Sequence, residues 1–342
     1  MKPIFMIGTQ RSGSNLLRVM LNQLNEIASP HPPHILKRMM PLMEFYGDLA
    51  CEENFKMLAD DVCKLVEINP VHWENVMFDR DDVISRCHEN SLVALYGAVY
   101  DICAECWGAE TWCSKSLENI EYVDIIENYF EKPRYIYLYR DGRDVALSFR
   151  KAVVGEKHMY NIAKIWAETQ TIGLDLMKKI DSSRFFAISY ENLLNNTEQT
   201  ARCLCEFLGV PFSDQMLEFY RSKEAKRAAE SSALWGSLTK PVIKNNTRKF
   251  LREVSQEDIT IFESVAGNVL DNLGYDRVYV KHGEEKIYSD KEIEQFNLEN
   301  DRLKQALMET VNKEDLERRD RQAYFLNQIK TRPHELTQSI AC

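Results

Sequence analysis

Near its amino terminus the chain reads PIFMIGTQRSGSNLL over residues 3–17. The apolar run before Gly8 predicts a buried strand, and the segment after Gly13 predicts a helix. These two glycines have the spacing of the G-x-x-x-x-G-K-S/T loop, whose backbone N–H groups hold phosphate oxygens at a helix N-terminus. The stretch therefore predicts a phosphate-binding loop between a strand and a helix.

The loop departs from an ATP-binding loop at two positions. Ser14 stands where a Lys would grip the β- and γ-phosphates, and Asn15 stands where a hydroxyl would hold Mg²⁺. Arg11 instead places a permanently charged, planar guanidinium inside the loop. We therefore expect the loop to bind an anion other than ATP, without a metal ion.

A second segment, RYIYLYRDGRDVALS at residues 134–148, predicts a strand, a turn and a helix. Arg140 is left at the carboxyl end of the strand, and Ser148 falls about two helical turns further on. A small anion between the strand end and the helix would reach both side chains. The alternative is a surface salt bridge from Arg140 to Asp144, with Ser148 as a passive helix residue.

Together the two segments resemble the donor-binding signatures of the sulfotransferases that use 3′-phosphoadenosine-5′-phosphosulfate (PAPS), in the subgroup with Arg in the loop. The resemblance implies that the 5′-phosphosulfate is held by Arg11, Ser12, Gly13, Ser14 and Asn15. It further implies that Arg140 and Ser148 bind the 3′-phosphate, which distinguishes PAPS and its product PAP from ATP.

Further segments match the same family in order and extend the resemblance over about the first 280 residues. WCSKS at residues 112–116 resembles the strand-end Lys segment, which implies that Lys115 faces the transferring group. The segment around Tyr190 implies a nucleotide contact, and the late loop implies that Lys249 is a second charge at the 3′-phosphate. The alternatives are a solvated surface lysine and a core tyrosine.

The general base is where the chain departs from the family. Related enzymes have a carboxylate soon after the first helix, but this chain reads SPHPPHIL over residues 29–36. His31 or His34 would serve, because an imidazole with a pKa near ~6.5 accepts a proton at neutral pH. The flanking prolines restrict the backbone and hold the rings in place. The sequence does not separate the two histidines, and a Pro-rich turn with incidental histidines is the alternative.

Four segments have strand patterns, at residues 3–9, 112–115, 134–140 and 184–190, and helical stretches separate them. This alternation predicts an α/β fold with a central parallel sheet. With the family resemblance it implies a P-loop-like, three-layer α/β/α architecture. Ligands bind at the carboxyl ends of the strands in such sheets, and the four predicted side chains that follow strands are Arg11, Lys115, Arg140 and Tyr190.

We place a domain boundary at residue 280. Residues 1–280 are the sulfotransferase-like domain, in which the mostly helical segment 35–110 covers the acceptor region, and residues 281–342 are a charged helical extension. An amphipathic helix is predicted in the extension by the 3–4 spacing of Ile293, Phe296, Asn300, Leu303 and Leu307. This helix either forms a homodimer, folds back on its own domain, or belongs to a partly ordered tail.

The resemblance implies direct in-line transfer of a sulfuryl group from PAPS to a hydroxyl or amine of a small-molecule acceptor. Two alternatives stay open: a P-loop-like nucleotide kinase, and a non-catalytic nucleotide-binding relative. The acceptor cannot be inferred from the sequence, because it is selected by loops and helical covers and not by the fold.

The composition agrees with a soluble enzyme: 342 residues, 44% of them hydrophobic, with a net charge of −10. The acidic balance argues against nucleic acid or an anionic membrane as the main partner. Apolar runs are short and the first strand begins almost at once, so we expect a cytoplasmic protein without a signal peptide or membrane anchor. The nine cysteines lack the paired spacing of zinc sites, in line with a metal-free site.

Overall fold

The computed structural model describes residues 1–231, 233–310 and 313–332. Its sheet consists of β1 (Ile4–Gly8), β2 (Ile27–Ala28), β3 (Thr111–Ser114), β4 (Arg134–Tyr139) and β5 (Phe185–Ser189). The strand order is β2-β3-β1-β4-β5, and every neighbouring pair is parallel. The predicted α/β class with a parallel sheet is confirmed. Strand β2 was not expected, because two residues are too few to carry a pattern.

Helices surround this sheet. They are α1 (Ser14–Leu21), α2 (Ile35–Met39), α3 (Glu52–Glu67), α4 (Arg80–Ser85), α5 (Leu92–Cys106), α6 (Val123–Tyr129), α7 (Gly142–Arg150), α8 (Met159–Lys179), α9 (Tyr190–Asn195), α10 (Thr197–Leu208), α11 (Lys223–Ser231), α12 (Phe250–Glu253), α13 (Gln256–Asn272), α14 (Asp290–Met308) and α15 (Lys313–Lys330). Short 3₁₀ helices cover Met40–Tyr46, Leu117–Tyr122, Asp214–Met216, Phe219–Arg221 and Ala233–Thr239. Most of the elements within residues 35–110 are helical.

Both faces of the sheet are buried. Successive side chains of a strand point to opposite faces, so Phe5 and Ile7 of β1 join a cluster with α3 and α5. Ile4 and Met6 join a second cluster with α1 and α10 on the other face. This explains why the strands read as continuous apolar runs, and it gives the three layers that the sequence predicted.

The carboxyl ends of the parallel strands meet at one edge. Gly8, the last residue of β1, has φ 136°, and a Cβ at this position would overlap the carbonyl oxygen of Leu138 in β4. Only glycine therefore lets β1 turn into its loop this close to its neighbour. The edge carries the four side chains predicted to lie there, each within a few residues of its strand: Arg11, Lys115, Arg140 and Tyr190.

The predicted amphipathic helix of the extension is confirmed as α14, which packs on α8. Asn300 is buried and its side-chain oxygen accepts hydrogen bonds from the backbone N–H groups of Lys157 (2.7 Å) and His158 (3.0 Å). Phe296 stacks on the ring of His158 at 4.6 Å. The apolar stripe thus faces the chain's own domain, while the boundary at residue 280 and the homodimer stay predictions.

Helix α15 packs against the Met40–Tyr46 helix. Ile329 is fully buried, and Arg332 contacts Asp61 at 2.6 Å, which also accepts a hydrogen bond from Tyr46 at 2.7 Å. These contacts fix α15 to the helical cover over residues 35–110. Throughout the described ranges, no helix is both long enough and apolar enough to span a membrane.

Candidate functional site

A cavity of about 650 Å³ lies at the carboxyl edge of the sheet. We call one part the loop end; its residues are Arg11, Gly13, Ser14, Asn15, Lys115, Arg140, Ser148, Tyr190 and Lys249. We call the other part the histidine end; its residues are Gln10, His31, His34, Glu118, Asn69 and Gln322. The cavity therefore contains every predicted site residue except Ser12. The side chain of Ser12 is buried, and its Oγ has no hydrogen-bond partner among the residues described.

The loop after β1 has the backbone of a phosphate-binding turn. Arg11 and Gly13 have φ values of 69° and 88°, and α1 begins directly afterwards at Ser14. A Cβ on Gly13 would overlap the ring of Tyr190, so glycine is required both by the backbone and by this neighbour. No side chain caps the helix, so the amides of its first turn face the cavity region without a capping group.

The first two motifs meet in this cavity. The Nε of Arg11 donates a hydrogen bond to the Oγ of Ser148 at 2.9 Å, between residues 137 positions apart in sequence. Arg11 thus joins the loop to the helix α7 that follows β4. The loop after β1 and the strand-helix segment at residues 134–148 thus line one cavity.

Arg140 is held rigidly behind this contact. Its guanidinium donates to the carbonyl oxygens of Arg11 and Asn246, both at 3.1 Å, and lies 4.3 Å from the centre of the Tyr190 ring. Asp144 is 3.5 Å away, so the alternative salt bridge exists only as a long contact. The Nε of Arg140 is buried and has no partner within the described part of the chain. A cationic donor is therefore left unused beside the cavity.

Lys115 directly follows β3, and it is buried rather than solvated. Its Nζ donates to the side-chain oxygen of Asn15 at 3.0 Å. Burial, with the positive charge of Arg18 as a second cause, lowers the pKa of Lys115 to about 7. An anion in the loop end would stabilise its charged form.

The late loop closes the loop end from the other side. Asn246 donates from its side chain to the Tyr190 hydroxyl at 2.6 Å, in addition to accepting from Arg140. Lys249 is half-buried and faces the cavity just before α12. Asn246 could not be identified from the sequence, because it belongs to no recognisable motif and acts through its tertiary contacts.

His31 is buried at the histidine end. Asn69 donates from Nδ2 to the Nδ1 of His31 at 3.3 Å and to its carbonyl oxygen at 3.1 Å. The imidazole lies 5.4 Å from the ring of Trp235. Burial, followed by the charges of Arg18 and Lys115, lowers the pKa of His31 well below its usual value. His31 is therefore neutral at physiological pH.

His34 has a different environment. It has φ 57° and precedes α2, and its Nδ1 lies 3.1 Å from the Oε2 of Glu118. The other carboxylate oxygen of Glu118 accepts a hydrogen bond from Gln10. Burial by itself would raise the pKa of Glu118, but the charge and hydrogen bond of His34 hold it well below its usual value. Glu118 lies on the 3₁₀ helix after β3 and was not identified from the sequence as a residue of this site.

Helix α15 supplies a wall of the histidine end. Gln322 is 2% exposed; its side-chain nitrogen donates to the carbonyl oxygen of Leu65 at 3.1 Å. Its side-chain oxygen accepts from Arg38, which also lines the cavity. In the described ranges, no group of three or more His, Cys, Asp or Glu residues could hold a metal ion.

The chain is thus an α/β protein with a parallel sheet and a glycine-containing loop at its carboxyl edge. A sequence model of the sulfotransferase family matches residues 3–214, and the chain belongs to this family.

The chain is similar to several known proteins. Protein-tyrosine sulfotransferase A of Caenorhabditis elegans is 22% identical over 282 residues, which are 80% of this chain and 67% of that protein. An uncharacterised protein of Aquifex aeolicus is 21% identical over 67% of this chain, which spans only 28% of that protein. The sulfotransferase domain of the Synechococcus PCC 7002 olefin synthase superposes with a TM-score of 0.55 at 20% identity, covering 80% of this chain and 95% of that domain. The last likeness shows a shared fold.

Proposed function

We propose that the protein transfers the sulfuryl group of PAPS to a hydroxyl or amine of a small-molecule acceptor and releases PAP. The observation that carries the proposal is the meeting of Arg11 and Ser148 in one cavity, beside a buried Arg140 whose Nε is unused. PAPS carries anionic groups at both its 5′ and its 3′ position, and the guanidinium groups of Arg11 and Arg140 can bind one each. A cluster of this kind needs no metal to neutralise the donor.

Each part of the loop end has a proposed role. The loop amides and Arg11 bind the 5′-phosphosulfate, and Lys115 faces the transferring group. Arg140, Ser148 and Lys249 bind the 3′-phosphate, while Tyr190 packs against the nucleoside. These roles were predicted from the sequence, and the location of the residues in one cavity supports them.

The proposed reaction is a single displacement. The acceptor oxygen or nitrogen forms a bond to sulfur, and the bond from sulfur to the 5′-phosphate oxygen breaks, leaving its electron pair on PAP. Arg11 and Lys115 bind the growing charge on that oxygen more tightly in the transition state than in the ground state. A histidine of the histidine end takes the acceptor proton, and no covalent enzyme intermediate is formed.

Binding of PAP and ADP tests the donor assignment. The two nucleotides are isomers that differ in where the second phosphate is attached, and PAP, with two separate monophosphates, also carries the greater negative charge at neutral pH. Without divalent metal, calorimetry should give PAP at least about tenfold tighter binding, since one hydrogen bond to a charged group contributes ~1.5–3 kcal/mol. R140A should remove that preference. Equal affinity of the unaltered protein for PAP and ADP would contradict the donor assignment.

Transfer is tested separately. Radiolabelled PAPS is incubated with fractionated host metabolites without divalent metal, and a labelled product is expected in at least one fraction. A protein that prefers PAP but labels nothing would be the non-catalytic relative. Mg²⁺-dependent turnover of ATP would support the kinase alternative.

A further inference from the structure

The histidine end contains two imidazoles in opposite hydrogen-bond environments. His34 places its Nδ1 against the Oε2 of Glu118 at 3.1 Å. Because an ionised carboxylate only accepts hydrogen bonds, the proton of a neutral His34 must lie on Nδ1. Gln10 donates to the second oxygen of Glu118, so the carboxylate is held from both sides.

His31 has the reverse arrangement. The two amide hydrogens of Asn69 are shared among three acceptors, the carbonyl oxygens of Val71 (3.0 Å) and His31 (3.1 Å) and the Nδ1 of His31 (3.3 Å), so the amide nitrogen lies toward the ring. The Nδ1 of His31 therefore accepts, and the proton of the neutral ring lies on Nε2. Trp73 donates to the same carbonyl oxygen of His31 at 2.7 Å and fixes the backbone. His31 has no free lone pair with which to take a proton.

We propose that Glu118 is the positioning residue of a His34–Glu118 pair: it holds the Nδ1 proton of His34, so that the Nε2 of His34 is the base that deprotonates the acceptor. The proposal rests on the proposed sulfuryl transfer and assigns the base that the sequence left open between two histidines. His31 instead serves as a neutral N–H donor toward the cavity.

The acceptor O–H or N–H proton moves to the Nε2 of His34 while the acceptor lone pair forms the bond to sulfur. The electron pair of the breaking bond stays on the 5′-phosphate oxygen of PAP. The imidazolium that results has both nitrogens protonated, and Glu118 stabilises its charge through Nδ1.

The tautomers can be observed directly, without knowledge of the acceptor. Two-bond ¹H–¹⁵N spectra of protein labelled at its seven histidines, assigned with H34Q and H31Q, distinguish protonated Nδ1 from protonated Nε2. We expect Nδ1–H for His34 and Nε2–H for His31 in the unaltered protein. E118Q should shift the His34 signals toward a mixture of tautomers and leave those of His31 in place.

The matched control is E121Q. Glu121 lies on the same 3₁₀ helix and bonds Lys37 of α2 at 2.8 Å, but at the surface. E121Q should leave both histidine spectra unchanged. If E118Q does not fold, the spectrum of the unaltered protein still tests the proposal. An Nε2–H tautomer for His34 in that spectrum would overturn it.

Transfer of label from PAPS gives the second readout. H34Q should lower transfer by ~10²–10⁴, the usual contribution of a positioned base, with PAP affinity within about twofold. A fall in transfer in E118Q without a change in the His34 tautomer would show that Glu118 acts structurally, and would overturn the proposal. Failure of PAP binding would instead refute the proposed function, whatever tautomer His34 shows.

Discussion

The two ends of the cavity are built in different ways. At the loop end, Arg11, Lys115, Arg140 and Tyr190 all follow strands of one sheet within a few residues. At the histidine end, Gln10 comes from the loop after β1, and the other side chains come from a Pro-rich segment, a loop at Asn69, a 3₁₀ helix and α15. The sheet therefore fixes the groups proposed to bind the donor, whereas the proposed acceptor side depends on the packing of distant segments. On the proposed function, we therefore expect variation in the second set to change the acceptor without disturbing donor binding.

Removing Arg11 should break the loop end with the largest effect. R11A should lower transfer by ~10²–10³, since the guanidinium stabilises charge that develops in the transition state. PAP affinity should fall only about tenfold, because the loop amides and Arg140 remain. R150A is the control: Arg150 forms an exposed pair with Asp258, which is worth ~0–1 kcal/mol. Equal losses of transfer and of affinity in R11A would contradict this role.

The pH dependence of PAP binding should come from Lys115. With its pKa lowered to about 7, Lys115 loses its proton as the pH rises above neutrality in the free protein. Bound phosphates favour the charged form, so binding takes up a proton and the affinity should fall toward ~10-fold per pH unit above 7. Calorimetry in buffers of different ionisation enthalpy measures this uptake. K115M should bind PAP more weakly, and its affinity should not depend on pH in this range. An equally steep pH dependence in K115M would show that another group takes up the proton.

Substitution of Gly13 should strain the loop end locally. G13A should cost ~1–3 kcal/mol, because alanine is forced into a left-handed backbone and its Cβ overlaps Tyr190. Gly209 is the matched control, with φ 69° and open space around its Cβ position, so G209A carries the backbone cost alone. The difference in unfolding free energy between the two variants measures the contact with Tyr190. Equal costs would mean that the loop moves away from the ring.

Substitution of Gln322, which lies on α15, should alter the histidine end. Q322A should cost about 1 kcal/mol, since it removes the hydrogen bonds to Arg38 and Leu65. Transfer should fall while PAP affinity stays within about twofold. Q328A, an exposed position on the same helix, should change neither quantity. A parallel loss of PAP affinity in Q322A would show that the two ends are coupled.

The loop end could be predicted because each of its groups belongs to a short local pattern. A glycine pair identifies the turn after β1, and a strand ending in Arg identifies the position of Arg140. The histidine end could be predicted only in part. His31 and His34 were found, but Glu118, Asn69 and Gln322 reach the cavity through tertiary contacts that no local pattern encodes. The 3–4 spacing in the extension predicted α14 but not the surface that it covers.

The position of α15 late in the chain also affects the order in which the cavity forms during translation. The loop after β1 leaves the ribosome early, whereas Gln322 and the anchoring Arg332 emerge among the last described residues. Until then the histidine end lacks the wall that α15 provides. A nascent chain can thus assemble its sheet edge before α15 adds this wall of the cavity.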